Sequence, residues 1–202
     1  SCEFEQMEME FFIEPGTQVE WLKYLTETRM AWYGKYSNSP ANFRLRQHDR
    51  DELAHYSDDC YDVEYLYPWG WGELEGVASR TDFDLKRHGA ATGVKLSYFD
   101  QNKVDPETGK MGWRYVPFVI EPAAGLTRTL LALLLDAYTE EKGVDAEGKE
   151  KSRVYLKLHP SIAPIKAAIL PLVKKDGQPE KAEAIAKALR AAGINVSYDE
   201  QQ

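Results

Sequence analysis

The chain is poor in the residues that staple or metallate small domains. It has two cysteines in 202 residues, Cys2 and Cys60, and neither stands in a CxxC spacing. That argues against a disulfide framework or structural zinc and predicts reduced thiols. The four histidines, His48, His55, His88 and His159, form no HxH or HExxH pattern, which argues against a zinc enzyme. Long apolar runs are missing too: no stretch nears the roughly 18 consecutive apolar residues of a membrane span, so no membrane partner is expected. The acidic start SCEFEQMEME lacks the basic and apolar regions of a signal peptide, and a cytoplasmic location is the expectation. Internal repeats and low-complexity tracts are absent.

What is present is enough for a core. Apolar residues make up 43% of the chain, and the length suggests one domain plus part of another. The net charge of −8 is unevenly spread. Residues 149–202 hold ten Lys/Arg against six Asp/Glu, a net of +4, so residues 1–148 carry −12. An acidic domain that handles magnesium and cationic groups, joined to a basic one that meets phosphate, has this asymmetry; solvated surface charge of no consequence has it too.

Period and punctuation give the elements. Met7, Met9, Phe11 and Ile13 alternate with Gln6, Glu8 and Glu10, which predicts one strand with a single apolar face. Pro15-Gly16 ends it. Thr17 with Glu20 predicts a capping box opening a supporting helix, with Val19, Leu22, Leu25 and Trp32 near one side. Arg44 to Asp59 has no period and reads as a loop with one helical turn at most. Tyr61–Tyr67 and Glu73–Ala78, joined by PWGWG, predict an antiparallel pair; Val94–Phe99 and Trp113–Glu121, around the DPETGK loop, predict another. Leu126 to Tyr138 predicts a leucine-rich helix buried behind the sheet. After a polar linker, Glu140 to Lys151, the order is strand (Val154–Leu158), strand (Ala167–Val173), helix, strand (Ile194–Tyr198). Pro179 suits the helix's first turn, Ile185 and Leu189 share a face, and Gly193 suits its C′ position. The expected class is α+β followed by an incomplete α/β domain.

Three groups of residues can carry chemistry. Gln6 and Glu8 share a strand face beside Phe4, so a ring, an amide and a carboxylate can line one floor; a solvated sheet face has the same pattern. Glu73 and Glu75 are expected on one face of their strand, with Asp62 and Glu64 across from them and Arg80 close behind. Acids so crowded resist burial unless a cation joins them, and magnesium held by carboxylates and phosphates is the natural one. In VIEPAAGLTR a strand ends at Glu121, small residues follow, and Arg128 falls in the first turn of a helix. That combination makes an anion site suited to a triphosphate.

The phrases EFEQMEMEFF, ELAHYSDDCYDVEY, ELEGVASRTDFDL, VIEPAAGLTR and SIAPIKAAILPL, in this order and spacing, resemble the homodimeric, α2 type of glycyl-tRNA synthetase. They cover most of the chain. EFEQME resembles the second strand of class II motif 2, and VIEPAAGLTR resembles motif 3. The resemblance implies that residues 1–148 are a partial class II catalytic core and residues 149–202 the start of an anticodon-binding domain. Motif 1 and the first strand of motif 2 would lie outside the chain. Such a piece would be a fragment, inactive by itself, of a homodimeric parent.

The resemblance also assigns roles. Phe4 would stack on adenine with Glu3 beside it. Glycine would sit along Phe4, Glu5, Gln6, Met7 and Glu8, with Gln6 and Glu8 holding its ammonium. Glu121 would close that pocket, followed by Pro122, Ala123, Ala124 and Gly125. Glu73 and Leu74 would form part of the ATP and Mg2+ site, and Arg80 would lie near the adenylate. Gly125, Leu126 and Thr127 would line the ATP site, and Arg128 would bind the γ-phosphate. The implied reaction is glycine activation by ATP to glycyl-adenylate, then transfer to tRNA(Gly). Departures from the family pattern are Cys2 for the usual Arg, Ala123 for the usual Ser, and Thr127 where Asp or Gly is common. A non-catalytic synthetase-like RNA-binding or assembly protein, or a ligase with a non-tRNA acceptor, would share much of this pattern.

Overall fold

The computed structural model describes residues 4–144 and 148–200, so Cys2 and Glu3 lie outside the described residues. The chain divides into two compact units between Tyr138 and Thr139.

The first unit runs β1 (Gln6–Glu8), β2 (Phe11–Ile13), α1 (Gln18–Tyr36), β3 (Phe43–Gln47), β4 (Asp59–Tyr67), β5 (Gly70–Thr81), α2 (Phe83–Thr92), β6 (Tyr98–Val104), β7 (Met111–Tyr115), β8 (Phe118–Gly125) and α3 (Leu126–Ala137). Six strands form one antiparallel sheet in the order β1-β8-β5-β4-β3, with β2 also on β8; β6 and β7 pair separately.

Proline explains why the first expected strand is two. Pro122 lies within β8, opposite Val77 of β5. With no N–H to donate, proline is tolerated in a sheet where pairing lapses. Here β1 and β2 pair with β8 on either side of that point, and only Met9 N–H bonds to the Pro122 carbonyl, at 3.0 Å.

Helix α1 covers one face of the sheet. Leu22 and Leu25 pack with Ile13, Val77 and Ile120, and Tyr33 packs with Phe43, Val63, Tyr65, Tyr67, Leu74 and Ala132. Thr17 precedes α1 but makes no capping bond to it; its hydroxyl donates instead to the Glu14 carbonyl at 2.7 Å. Val19, expected on the packed side, is exposed.

Several expectations change. Phe43–Gln47, which overlaps the aperiodic stretch from Arg44, is strand β3, because a buried Phe43 and pairing to β4 outweigh the two arginines on its other face. The β6 strand pairs with β7 only as far as Tyr115, and β8 is a separate strand in the main sheet. Between the hairpin and the main sheet stands α2, which the sequence reading omitted. In α3 the buried positions are Thr129, Ala132, Asp136 and Ala137, while Leu126, Leu130, Leu131 and Leu134 are exposed. The small and polar face is the packed one because Asp136 accepts bonds from Ser37 Oγ (3.0 Å) and Asn38 N–H (2.6 Å).

In the second unit the stretch expected as a polar linker is a hairpin, β9 (Tyr138–Val144) with β10 (Glu150–Leu156). Two short parallel strands, β11 (Ala167–Ile169) and β12 (Val196–Tyr198), flank α4 (Gln178–Ala191), a β-α-β unit of the expected α/β kind. Pro179 lies in the first turn of α4 and Gly193 follows it at φ +79°. Its buried residues are Ala182 and Ala186; Ile185 points to solvent.

Candidate functional site

Side chains alternate across a strand, so the residues that do not face α1 form the opposite sheet face. That face is where the polar candidates gather. Gln6 Nε2 donates to Glu8 Oε1 at 2.7 Å, and Phe4 lies at the strand's start. Phe4, Gln6, Glu73, Leu74, Ala123, Gly125, Thr127 and Arg128, with Leu131, line one cavity of about 670 Å³. Eight residues singled out from sequence thus share one space.

Arg128 sits in the first turn of α3, and its guanidinium lies 6.0 Å from the Tyr67 ring centre. Gly72 lets it lie low over β5: a Cβ there would meet the Tyr67 ring at 3.1 Å and Arg128 Nη2 at 3.7 Å. One helix-start N–H is already taken, since Leu126 N–H donates to the Glu5 carbonyl at 2.8 Å.

A bulge separates the two glutamates expected together. The β4–β5 register slips so that Val63 opposes Glu75 and Glu64 opposes Glu73, leaving Leu74 as the extra residue. Glu75 therefore faces α1, where it is 1% exposed and accepts from Arg29 and Tyr33. Glu73 faces the cavity. Desolvation, then the nearby Asp62 charge, raises its pKa from the ordinary carboxylate value. Glu64 lies across from it, as expected, while Asp62 opposes Gly76. A Cβ on Gly76 would come within 3.7 Å of Glu73 Oε1 and 3.8 Å of Asp62 Oδ1, so glycine keeps the ground between these acids low.

Further along the same face, Arg80 Nη1 donates to Glu121 Oε1 at 3.1 Å and Arg80 Nε to Asp84 Oδ2 at 2.7 Å, with the Tyr56 ring 4.2 Å away. Glu10, which sequence reasoning placed on the polar face but gave no role, joins Glu121 here. Its pKa is raised to about 7, by desolvation first and then by its hydrogen bond to and repulsion from Glu121. The signal was in the sequence: Glu10 continues the alternation of Gln6 and Glu8.

Among the described residues, two groups bring ligand atoms within 4.8 Å of one another, Glu8 with Glu10 and Glu121, and His48 with Cys60 and Asp62. Glu73 belongs to neither. His48 Nε2 lies 2.8 Å from Asp62 Oδ2. Glu5, Met7, Pro122 and Ala124 alternate to the other side of the sheet and do not line the cavity; Leu126 is exposed beside it.

No family model matches the chain. Curated relatives do match, over nearly all of it. A glycine–tRNA ligase of Mycolicibacterium paratuberculosis is 48% identical over 201 residues, covering 98% of this chain and 42% of the relative. One of Cutibacterium acnes is 48% identical over 205 residues (99% and 41%), and one of Treponema denticola is 46% identical over 200 residues (99% and 43%). The chain spans about two fifths of the length of these relatives.

Proposed function

We propose, from the premise that the chain is homologous over nearly its whole length to a segment of glycine–tRNA ligases, that it forms part of the site where the whole protein activates glycine with ATP and passes it to tRNA. The observation that carries this reading is the single cavity holding Phe4, Glu73, Gly125 and Arg128, with the Glu8, Glu10 and Glu121 carboxylates further along the same sheet face. A planar ring, a helix-start arginine and an acid are the parts a nucleoside triphosphate needs, and neighbouring carboxylates are what a substrate ammonium needs.

The chemistry follows from positions. Glycine offers no side chain to grip, so its ammonium must be held by carboxylates, and Glu8 and Glu121 serve that end. Larger amino acids are excluded by filling space, because a methylene in an apolar pocket discriminates by only about 1–3 kcal/mol. The glycine carboxylate attacks the α-phosphorus of ATP, pyrophosphate leaves, and a hydroxyl at the tRNA 3′ end then takes the glycyl group. Both displacements depend on alignment and charge stabilisation, with Arg128 on the triphosphate and Arg80 near the adenylate. The raised pKa of Glu73 beside Asp62 fits a divalent cation. Mg2+ held by Glu73, with Asp62 near, would neutralise charge on the phosphates.

On this reading the six-stranded sheet is part of a class II synthetase core (1–148). The basic 149–202 segment is the start of an anticodon-binding domain, and the whole protein is a cytoplasmic homodimer. The test is glycine-dependent exchange of pyrophosphate into ATP by the full-length protein. Exchange with glycine and not with alanine or serine is expected; equal exchange with alanine removes the glycine assignment.

A further inference from the structure

No metal motif is visible in the residue spacing, but strand pairing brings a set of metal donors together. Cys60 and Asp62 stand two apart on β4, and both point away from α1, since Tyr61 and Val63 between and beyond them pack on the α1 side. His48 follows β3, and its N–H donates to the Cys60 carbonyl at 3.0 Å, which sets the imidazole beside them. Its Nε2 lies 2.8 Å from Asp62 Oδ2. One nitrogen, one sulfur and one oxygen thus come within 4.8 Å of one another. Strand β4 is paired on both sides, to β3 and to β5, so the backbone that carries Cys60 and Asp62 lies inside the sheet.

The donor set has a chemical preference. Carboxylates and water suit magnesium, whereas an imidazole with a thiolate suits zinc and its neighbours in the first transition row. The group of Glu8, Glu10 and Glu121 offers oxygen alone; this one does not. Bond lengths of about 2.0–2.3 Å place the donors of a tetrahedral zinc site about 3.3–3.8 Å apart, so small side-chain rotations close the three on an ion. The surroundings favour positive charge, because the carboxylates of Asp62, Glu73, Asp59 and Glu121 all act on Cys60. Arg46, 3.6 Å from Asp62, is shared with Glu52. The Asp62 side chain is 9% exposed and that of His48 23%, with Cys60 partly buried, so the site is covered by protein and opens to solvent beside His48.

We infer that His48, Cys60 and Asp62 form a site for a zinc-like divalent transition metal, held by the imidazole, the thiolate and one carboxylate oxygen, with the fourth position left to water. Three protein ligands leave the coordination open, unlike the closed four-ligand site of a structural zinc. On binding, the thiol proton is released, and the hydrogen bond between His48 and Asp62 gives way to their two bonds to the ion. The site lies on the same sheet face as Glu73 but does not include it. It uses none of the roles given to ATP, glycine or tRNA, so its failure would leave the ligase reading as it stands.

Cobalt(II) is the probe, titrated into the full-length protein after treatment with a chelator and followed by absorption. A saturable sulfur-to-cobalt charge-transfer band in the near ultraviolet is expected, with the strong visible bands of tetrahedral cobalt. Cys60→Ser should abolish the charge-transfer band, and His48→Gln and Asp62→Asn should each weaken cobalt binding by roughly tenfold or more. Zinc should displace the cobalt, and excess magnesium should not. Glu8→Gln, in the all-oxygen group, should leave the charge-transfer band in place. Circular dichroism melts establish which variants fold, and since the three substitutions are independent, one that unfolds the chain leaves two to decide. Any of four results overturns the inference: no charge-transfer band in the parent; a band that survives Cys60→Ser, the metal then sitting on another thiol; affinity indifferent to both His48→Gln and Asp62→Asn; or displacement of the cobalt by magnesium.

Discussion

Arg29 and Glu75 meet in the interface between α1 and the sheet through two hydrogen bonds, Nε to Oε1 at 2.6 Å and Nη2 to Oε2 at 3.1 Å. Tyr33 adds a third at 2.9 Å, and burial followed by the Glu75 charge raises the pKa of its own hydroxyl. This is a structural ion pair in the core, separate from the carboxylates of the cavity. Removing one partner strands the other's charge. Arg29→Ala should therefore lower unfolding free energy by about 3–5 kcal/mol, measured by urea titration, and Arg29→Ala with Glu75→Leu should recover part of it. If the single variant loses less than the double, the pair does not hold α1 to the sheet.

Glu10 should titrate near neutrality. Its folded pKa of about 7 lies above the ordinary value of 4.5, so the contribution of its protonated form is full below that ordinary value and is lost as pH rises through about 7. Stability relative to Glu10→Gln should accordingly fall between about pH 4.5 and 7. Carboxyl carbon NMR should show one of the Glu10 and Glu121 pair titrating well above the other glutamates, and Glu121→Gln should bring Glu10 down. A flat stability difference over this range would contradict the pairing.

In the full-length protein, Arg128→Ala and Glu121→Gln should give separable defects. On the proposed reading the first would remove a charge-assisted contact to the triphosphate and weaken ATP use roughly tenfold or more, and the second would do the same to glycine. Circular dichroism melts must first show both folded, since Arg128 opens α3. Equal effects of either variant on both substrates would end the division of roles.

Cys60 should be unreactive in the folded chain. Burial, and then the charges of Asp62, Glu73, Asp59 and Glu121, push its thiol up to about 12. Alkylation by iodoacetamide at pH 8, followed by peptide mass spectrometry, should be slower than for an unperturbed cysteine by roughly a hundredfold or more, and urea should restore the ordinary rate. Fast labelling of native Cys60 would mean that burial and the neighbouring charges do not hold the thiol protonated.

The face pattern of this protein was readable where alternation is uninterrupted. Gln6, Glu8 and Glu10 were correctly grouped by period, and so were the strands Tyr61–Tyr67 and Glu73–Ala78. Reading failed where a local irregularity resets the phase. The extra residue at Leu74 sends Glu73 and Glu75 to opposite faces although they stand two apart, and nothing in the residue types announces it. Reading also failed where tertiary partners decide burial. The leucines of α3 promise a buried stripe, but Asp136 is drawn inward by Ser37 and Asn38, which are about a hundred residues away in sequence. Strand β3 was invisible because its partner β4, not its own composition, makes it a strand.

Pro122 divides the pairing of β1 and β2 with β8 into two separately held stretches. Strand β2 is secured by buried Ile13, while β1 has no buried residue and is held to β8 from Gln6 to Glu8, with one backbone bond on either side, Met9 N–H to Pro122 and Leu126 N–H to Glu5. Between them the only ladder bond described is that of Met9 to Pro122, so the two strands are held to β8 through separate sets of bonds. Amide exchange at Gln6–Glu8 is accordingly expected to outpace exchange at Phe11–Ile13. The stretch that carries Gln6 and Glu8 on the carboxylate face is thus also the less firmly held of the two.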